Sequence, residues 1–287
     1  MPAIFDGTNG LTFNDGTLMG SANSLGMRNA LFNADFRINQ RGYVSAATLA
    51  AGAYGHDRFK AGASGGNYSF TQLASSTQVT IASGKSLIQV VEEKNVVGGS
   101  YVLSWTGTAL ARVGVNSATP SGTFVVSPLL ITGQTAGTTM SVEFNAGTLN
   151  TAQLELGTVA TPFERRPIGL ELALCQRYFW NPGFNRTGNF LFLGAGVARG
   201  SATADLQIRL PVSMRSAPSV GAVGVINIIF GGANSTPVSS QTSDAANQST
   251  ENAVVQVSTA AVLPVGGYVF AEVANSTTAT LNFSAEL

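Results

Sequence analysis

Short stretches in which apolar and polar residues alternate recur along most of the chain. Between residues 28 and 167 they return every 8–15 residues, separated by clusters of Gly, Ser, Thr and Asn. Such alternation places every second side chain on one face of a strand, as for Tyr101, Leu103 and Trp105, which we expect to face a core. Eight strands are predicted here, at Tyr68–Leu73, Gln78–Ile81, Ser86–Val91, Ser100–Trp105, Ala111–Val115, Gly122–Val126, Met140–Phe144 and Ala152–Leu156. Their spacing indicates an antiparallel β-sandwich of the jelly-roll type rather than alternating strands and helices.

Residues 181–287 show the same pattern and predict a second, C-terminal β-sandwich domain. In its clearest strand, Leu206, Ile208 and Leu210 alternate with polar residues and should face inward. Gly231–Asn252, rich in Ser, Thr, Asn and Gln, is predicted to be a long loop, either an exposed functional tip or a linker-like excursion. The six predicted strands are Asn189–Val197, Ala204–Leu210, Val220–Phe230, Ala253–Val257, Gly267–Val273 and Ala279–Phe283.

One helix is predicted between the two β-rich parts, over residues 168–180. Pro167 suits the first turn of a helix, and Leu170, Leu174 and Tyr178 recur at a spacing of four residues. Glu171 belongs to the polar side in this pattern. The predicted fold class is therefore all-β, with a sandwich at 28–167, a short connecting helix and a β domain at 181–287.

Residues 1–27 form a separate arm in this division of the chain. Leu11–Phe13 and Thr17–Met19 flank Asn14-Asp15-Gly16, and Asp-Gly between two apolar runs predicts a β-hairpin. A segment this short cannot bury a core by itself. The arm is either an attachment segment or a flexible terminus that carries a hairpin.

The composition limits the classes of function. The chain has 15 basic and 15 acidic residues, and only 10% of its residues are charged, against about 25% in an average soluble protein. This favours a subunit that buries surface in an assembly, although a sticky β-sandwich monomer has the same composition. The neutral balance argues against nucleic-acid binding, and no apolar run predicts membrane insertion or a signal peptide. The single cysteine, Cys175, allows no disulfide within the chain and is consistent with assembly in a reducing cytoplasm.

No motif predicts catalysis, a metal or a cofactor. His56 is the only histidine, and Gly62–Gly66 matches G-x-S-x-G but lacks the strand and helix that a nucleophile elbow requires. A glycosidase needs two carboxylates facing one another, whereas the adjacent Glu92 and Glu93 point to opposite sides of a strand. There is no His/Cys cluster and no Asp-rich calcium loop. We therefore expect a protein that is not an enzyme.

Two sets of residues near the predicted helix are candidate binding sites. Tyr178, Trp180 and Phe184 could present aromatic rings to a carbohydrate, or could form a small core instead. Leu170, Leu174 and Tyr178 form the predicted apolar stripe of the helix, which three copies of the chain could bury around a threefold axis.

Several motifs resemble a known family. Gln153–Pro167, which reads QLELGTVATPFERRP, is followed by Glu171–Tyr178, whose end CQRY completes a module similar to one shared by many phage and prophage tail-fibre and minor structural proteins. Upstream, Arg28–Gly42 (RNALFNADFRINQRG) and Ala53–Phe59 (AYGHDRF) resemble two further elements of that family. The closing Phe283–Leu287 is similar to the family's usual end.

This resemblance implies a bacteriophage virion protein, namely a homotrimeric tail-fibre subunit that contacts host cell-surface glycans or another receptor. The arm at 1–27, which resembles a repeat near the start of many tail fibres, would bind other virion proteins. Such a subunit is assembled in the bacterial cytoplasm and located in the virion. The alternatives are a head fibre or capsid decoration protein without a receptor role and, from another class, a polysaccharide depolymerase.

Overall fold

The structure is a computed structural model of the chain, and it describes residues 4–6, 10–12, 18–19, 26–186, 188, 190–232, 234–273, 276 and 278–287. The chain forms two compact units. The first comprises the chain up to Arg37 together with Tyr43–Pro167, and the second comprises Ile38–Gly42 together with Ile168–Leu287. Residues 38–42 thus belong to the second unit, although the sequence pattern placed them in the first β domain.

Three short strands lie in the N-terminal arm: β1 (Ile4–Asp6), β2 (Gly10–Thr12) and β3 (Leu18–Met19). They pair antiparallel in the order β1-β2-β3. Leu11 is paired with Met19, which is the pairing that the predicted hairpin requires. The predicted turn residues Asn14, Asp15 and Gly16 lie outside the described residues.

The first unit is a sandwich of two five-stranded antiparallel sheets. Its strands are β4 (Lys60–Ala61), β5 (Tyr68–Gln72), β6 (Thr77–Ile81), β7 (Leu87–Val91), β8 (Gly99–Gly107), β9 (Ala111–Gly114), β10 (Ser121–Val125), β11 (Leu129–Gln134), β12 (Met140–Phe144) and β13 (Gly147–Leu156). One sheet has the order β10-β9-β12-β7-β4 and the other β11-β8-β13-β6-β5. Both sheets contribute side chains to one hydrophobic core, in which Trp105 packs edge-on against Phe144 at 5.5 Å between ring centroids.

All eight strands predicted for this region are present, and the structure adds two. Of these, β4 is only two residues long. The other, β11, contains Gly133 at φ 78 and a register shift against β8 between Ile131 and Gln134. This irregularity breaks the period-two alternation that a prediction from sequence depends on.

The second unit contains the helix, a three-stranded sheet and a closed barrel. The helix α1 spans Ile168–Gln176. The strands are β14 (Phe179–Trp180), β15 (Leu191–Gly200), β16 (Thr203–Arg209), β17 (Ser219–Val223), β18 (Asn227–Phe230), β19 (Asn234–Ser243), β20 (Asn252–Thr259), β21 (Tyr268–Val273) and β22 (Thr280–Ser284). The barrel has the order β15-β16-β20-β19-β18-β21, and the sheet has the order β14-β22-β17. The predicted sandwich is therefore realised as an antiparallel barrel with a small sheet.

Two predictions in this unit were wrong. The predicted loop at Gly231–Asn252 contains β19, whose polar side chains mostly face solvent while its backbone pairs with β18 and β20. The predicted strand Val220–Phe230 is two strands, since Gly224 at φ 69 interrupts it. The first of these, β17, pairs with β22, and the second, β18, pairs with β19 and β21.

The helix is shorter than predicted and buries a different face. It ends at Gln176, and Phe179 and Trp180 pair with Ser284 and Phe283 of β22 instead. Aromatic residues fit a pleated, half-buried strand, and this pairing takes the place of a further helical turn.

The buried residues of α1 are Glu171 and Cys175, whereas Leu170 is 41% exposed. The predicted assignment of Glu171 to the solvent side was therefore wrong. Tertiary packing, not hydropathy, decides the face that this helix buries.

The predicted fold class is confirmed: the chain is nearly all β, antiparallel, with one short α-helix among the described residues. In the part of the chain that the structure describes, no helix is long and apolar enough to cross a bilayer.

Candidate functional site

The stretch QLELGTVATPFERRP, in which charged residues are concentrated, is a structural clamp in the first unit. Glu155 accepts hydrogen bonds from the backbone N–H of Thr161 at 2.8 Å and from its hydroxyl at 2.6 Å. Gln153 donates to Glu155 at 2.8 Å and accepts from the N–H of Glu164 at 2.6 Å. The stretch after β13 is thereby bound back onto the strand that precedes it.

The same clamp binds the segment at the start of the sandwich. Glu164 accepts from the N–H of Asn29 at 2.9 Å, and the buried Arg166 donates to the carbonyl groups of Asn29 and Leu31. Arg166 and Glu164 also form an ion pair at 3.4 Å. These charged side chains form hydrogen bonds to backbone groups and to one another, which is a structural role rather than a catalytic one.

His56 is likewise part of the core of the first unit. Its Nδ1 lies 2.7 Å from the hydroxyl of Tyr68, and its ring packs edge-on against Phe70 at 4.8 Å. Burial lowers the pKa of His56 to about 4, since desolvation disfavours the charged imidazolium. A neutral imidazole enclosed by aromatic rings is a structural residue here.

The predicted carbohydrate-binding residues do not form an open aromatic surface. Tyr178 is fully buried. The half-buried Trp180 stacks on Phe283 with 5.2 Å between ring centroids, and Phe184 is half-buried in the turn that follows Asn181. These side chains contribute to packing in the second unit, which was the alternative interpretation of this aromatic group.

The three residues predicted to form the oligomer interface of the helix do not share one exposed face. Leu170 is exposed and Leu174 is half-buried, whereas Tyr178 lies in the interior. Of these three residues, the two leucines are accessible to another copy of the chain.

A groove on the outer face of the barrel is a stronger candidate site. It has a volume of about 620 Å³ and runs along β15, between β16 and β21. The groove forms because the outward residues of β15, Ala195 and Val197, are smaller than their neighbours. Val197 is paired with Tyr268 on one side and with Asp205 on the other.

One aromatic residue, Tyr268, lines the groove, and two further aromatic side chains lie beyond it on the same outward surface. Tyr268 is 79% exposed, although it belongs to a regular strand of the barrel. Phe270, two residues further along β21, points to the same outward face and is 46% exposed. Phe192 of β15 is 62% exposed and its ring lies 6.0 Å from that of Phe270. Three aromatic rings therefore follow one another on a solvent-facing surface.

The opposite wall is polar. Arg199 forms ion pairs with Asp205 and, at 3.9 Å, with Asp244. The side-chain amide of Asn247 donates to Asp244 at 2.8 Å, and the amide of Gln207 lines the groove beside Asp205. The hydrogen bond from Asn247, aided by the neighbouring Arg199, lowers the pKa of Asp244, so this carboxylate stays ionised.

Aromatic rings opposite amide and carboxylate side chains can bind a sugar. The rings cover the apolar C–H face of a pyranose, and the amides and carboxylates bond its hydroxyl groups. Within the described ranges, no group of three or more His, Cys, Asp or Glu side chains is placed to hold a metal ion.

This site was not predicted from the sequence, although a signal for it exists. In Tyr268–Val273 (YVFAEV) the two aromatic residues share their face with Glu272, while Val269, Ala271 and Val273 form the other face. Because Glu272 carries a charge, the face that it shares with Tyr268 and Phe270 is predicted to face solvent, so both aromatic rings should be exposed. The groove itself could not be predicted, because its walls come from strands far apart in the sequence.

Comparisons with known proteins add little. No protein-family model matches the chain, and no curated protein matches its sequence. Similar solved structures include native recombinant discoidin II of Dictyostelium discoideum, at 10% identity and a TM-score of 0.19 over 90% of this chain and 94% of that one. Others are wild-type discoidin II, at 10% and 0.19 over 90% of each chain, and tandem CBM22 domains from Paenibacillus barcinonensis, at 11% and 0.26 over 85% and 98%. With TM-scores below 0.5, these similarities carry no argument about function.

Proposed function

We propose that the chain is a subunit of a bacteriophage tail fibre, assembled as a homotrimer, that binds glycans of the host cell surface through the groove on the barrel of its second unit. The observation that carries the binding proposal is the exposed Tyr268 opposite the polar side chains of Arg199, Asp205 and Gln207. The resemblance of Gln153–Pro167 to a tail-fibre module supports the assignment to a virion.

The exposure of Tyr268 requires an explanation that packing does not supply. A ring that leaves 79% of its surface in water contributes little to the stability of the barrel. Phe192 and Phe270 beside it extend the surface into an aromatic row. Contiguous exposed apolar surface on a folded domain commonly marks a binding site.

The chemistry proposed is binding without turnover. Asp205 and Asp244 are both paired with Arg199. The hydrogen bond from Asn247, aided by Arg199, lowers the pKa of Asp244 and favours its ionised form, whereas a glycosidase needs one of its two carboxyl groups protonated. A single groove of this size supports weak binding, and three copies on one fibre would strengthen attachment through multivalency.

The binding proposal is tested on a glycan array with the wild-type protein and Tyr268→Ala. We expect binding to fall about tenfold in Tyr268→Ala, since removal of one stacking ring costs about 1–2 kcal/mol. Tyr268→Phe keeps the ring and should retain most of the binding. Val262→Ala, at another highly exposed position of the same unit, is the matched control and should bind as the wild type does.

Two further measurements separate this proposal from its alternatives. Sedimentation at micromolar concentration should give a trimer, and immuno-electron microscopy of the phage should locate the protein on the tail. A label on the head would replace the proposal with a head fibre or decoration protein. Release of reducing ends from host polysaccharide would make the protein a depolymerase.

A further inference from the structure

The charges around the groove carry information about the ligand. Arg199 and Asp205 line the groove and neutralise one another, while Asp244, 3.9 Å from Arg199, adds a second carboxylate. Glu272 lies on the outward face of β21 and is paired with Phe192 at the end of the aromatic row. In the described part of the chain, the groove and its aromatic row therefore carry one cation and three carboxylates.

The nearest further cation on β16 does not alter this balance. Arg209 points outward from the same strand, but it lines a separate depression together with Glu251. That pair contributes one charge of each sign. The net charge at the groove remains negative.

Among the residues that the structure describes, Arg199 is the one basic side chain in the groove lining, and it already faces two carboxylates. A sugar carboxylate or phosphate would have to compete with Asp205 and Asp244 for the guanidinium. It would also approach a surface with an excess of negative charge, and like charges this close raise the free energy of the complex.

The remaining polar groups of the wall suit hydroxyl groups. The side chain of Asp205 lines the groove, and its carboxylate can accept a hydrogen bond from a ligand but cannot donate one. The amides of Gln207 and Asn247 each offer both donors and an acceptor. A hydroxyl group matches all three, whereas a carboxylate can only accept.

We propose that this groove selects neutral, hydroxyl-rich glycans and discriminates against acidic ones, meaning sugars that carry a carboxylate, phosphate or sulfate. The selection follows from the excess of carboxylates over basic side chains and from the prior pairing of Arg199. This inference rests on the proposed glycan binding and specifies the ligand class of the same site.

The test uses the full-length protein and an array of matched glycan pairs, each consisting of a neutral oligosaccharide and the same oligosaccharide bearing a sialic acid, a uronic acid or a phosphate. At low salt we expect the neutral member of a pair to bind at least about fivefold more strongly. The preference should shrink as salt rises, because salt screens charges at an exposed site.

A charge-removing variant identifies the cause of the preference. Asp244→Asn removes one carboxylate from the rim of the groove, where the Asp244 side chain is partly buried, and at low salt it should raise binding of the acidic members about threefold relative to the neutral members. Glu93→Gln makes the same change of net charge in the first unit and should alter neither.

The outcomes are distinct. If acidic members bind as well as or better than their neutral counterparts in the wild-type protein, the inference is overturned while glycan binding stands. If Asp244→Asn and Glu93→Gln change acidic binding equally, the groove charges are not the cause. If no member of any pair binds, the proposed function fails and the inference fails with it.

Discussion

Acidification should destabilise the first unit through one residue, His56. In the folded chain its ring is enclosed by aromatic side chains, with Nδ1 2.7 Å from the hydroxyl of Tyr68. Burial lowers the pKa of the imidazole from 6.5 to about 4. The charged form would have to lose its hydration inside this aromatic environment, and this desolvation is the cause of the lowered pKa.

The sign of the effect follows from where each state binds a proton. The unfolded chain takes up a proton near pH 6.5, whereas the folded chain does so only near pH 4. Between these values the unfolded state binds more protons, so the free energy of unfolding decreases as the pH falls. Each pKa unit corresponds to about 1.4 kcal/mol, which makes the full loss about 3 kcal/mol.

The assay uses the fact that the chain has two tryptophans, one in each unit. In a Trp180→Phe background, the fluorescence of Trp105 reports urea unfolding of the first unit alone. Between pH 7 and pH 4, the free energy of unfolding of the first unit should fall by about 3 kcal/mol more in the protein with His56 than in the His56→Gln variant. Glutamine keeps a hydrogen-bonding group at this position but does not titrate. Carboxylates titrate in both proteins, so the difference isolates the imidazole.

Equal pH dependence of the two proteins would refute this reasoning. Because His56 is the only histidine, its ring protons can also be followed directly by NMR in the wild-type chain. A titration midpoint near 6.5 in the folded protein would show that the ring is solvated. This second measurement holds even if His56→Gln fails to fold.

Four further substitutions test other parts of the structure. Gly196→Val should abolish folding of the barrel, because a Cβ at this position would clash with the carbonyl oxygen of Asp205. The loss of folding would be seen as loss of near-ultraviolet circular dichroism. Gly169→Ala, where an added Cβ would have no atom within 4 Å, should be neutral or stabilising by about 0.5–1 kcal/mol. Glu155→Ala removes the buried acceptor of the clamp and should cost the first unit about 3 kcal/mol in urea denaturation, and a loss below 1 kcal/mol would mean that the clamp is dispensable. Leu174→Asp should dissociate the proposed trimer in sedimentation, and an unchanged oligomer would place α1 outside the interface.

Much of the fold was predictable because strand patterns are local. The alternation that predicted Ala204–Leu210 corresponds to β16 within one residue at each end, and Tyr101, Leu103 and Trp105 are buried as predicted. Each of these patterns needs only the residues of its own strand and a neighbouring apolar layer. These strands could therefore be predicted without knowing which strands they pair with.

The failures have a common physical cause. The strand β19 is polar and lacks alternation, and it is a strand because β18 and β20 satisfy its backbone on both sides. Glu171 is buried in α1 although its neighbours Leu170 and Leu172 are more apolar. In both cases the partner, not the segment, decides the outcome.

The candidate site likewise depends partly on local sequence and partly on tertiary structure. The sequence by itself determined an antiparallel all-β chain of low charge, with one helix and a motif resembling tail-fibre proteins. Only the tertiary structure decided that Tyr178 is interior and that Tyr268 forms the wall of a groove. The reason is that the groove depends on the pairing of β15 with β21, whose residues Val197 and Tyr268 meet only when the barrel closes. Periodicity assigns a side chain to a face, but the pairing of distant strands decides which faces meet, and which of them remain in solvent.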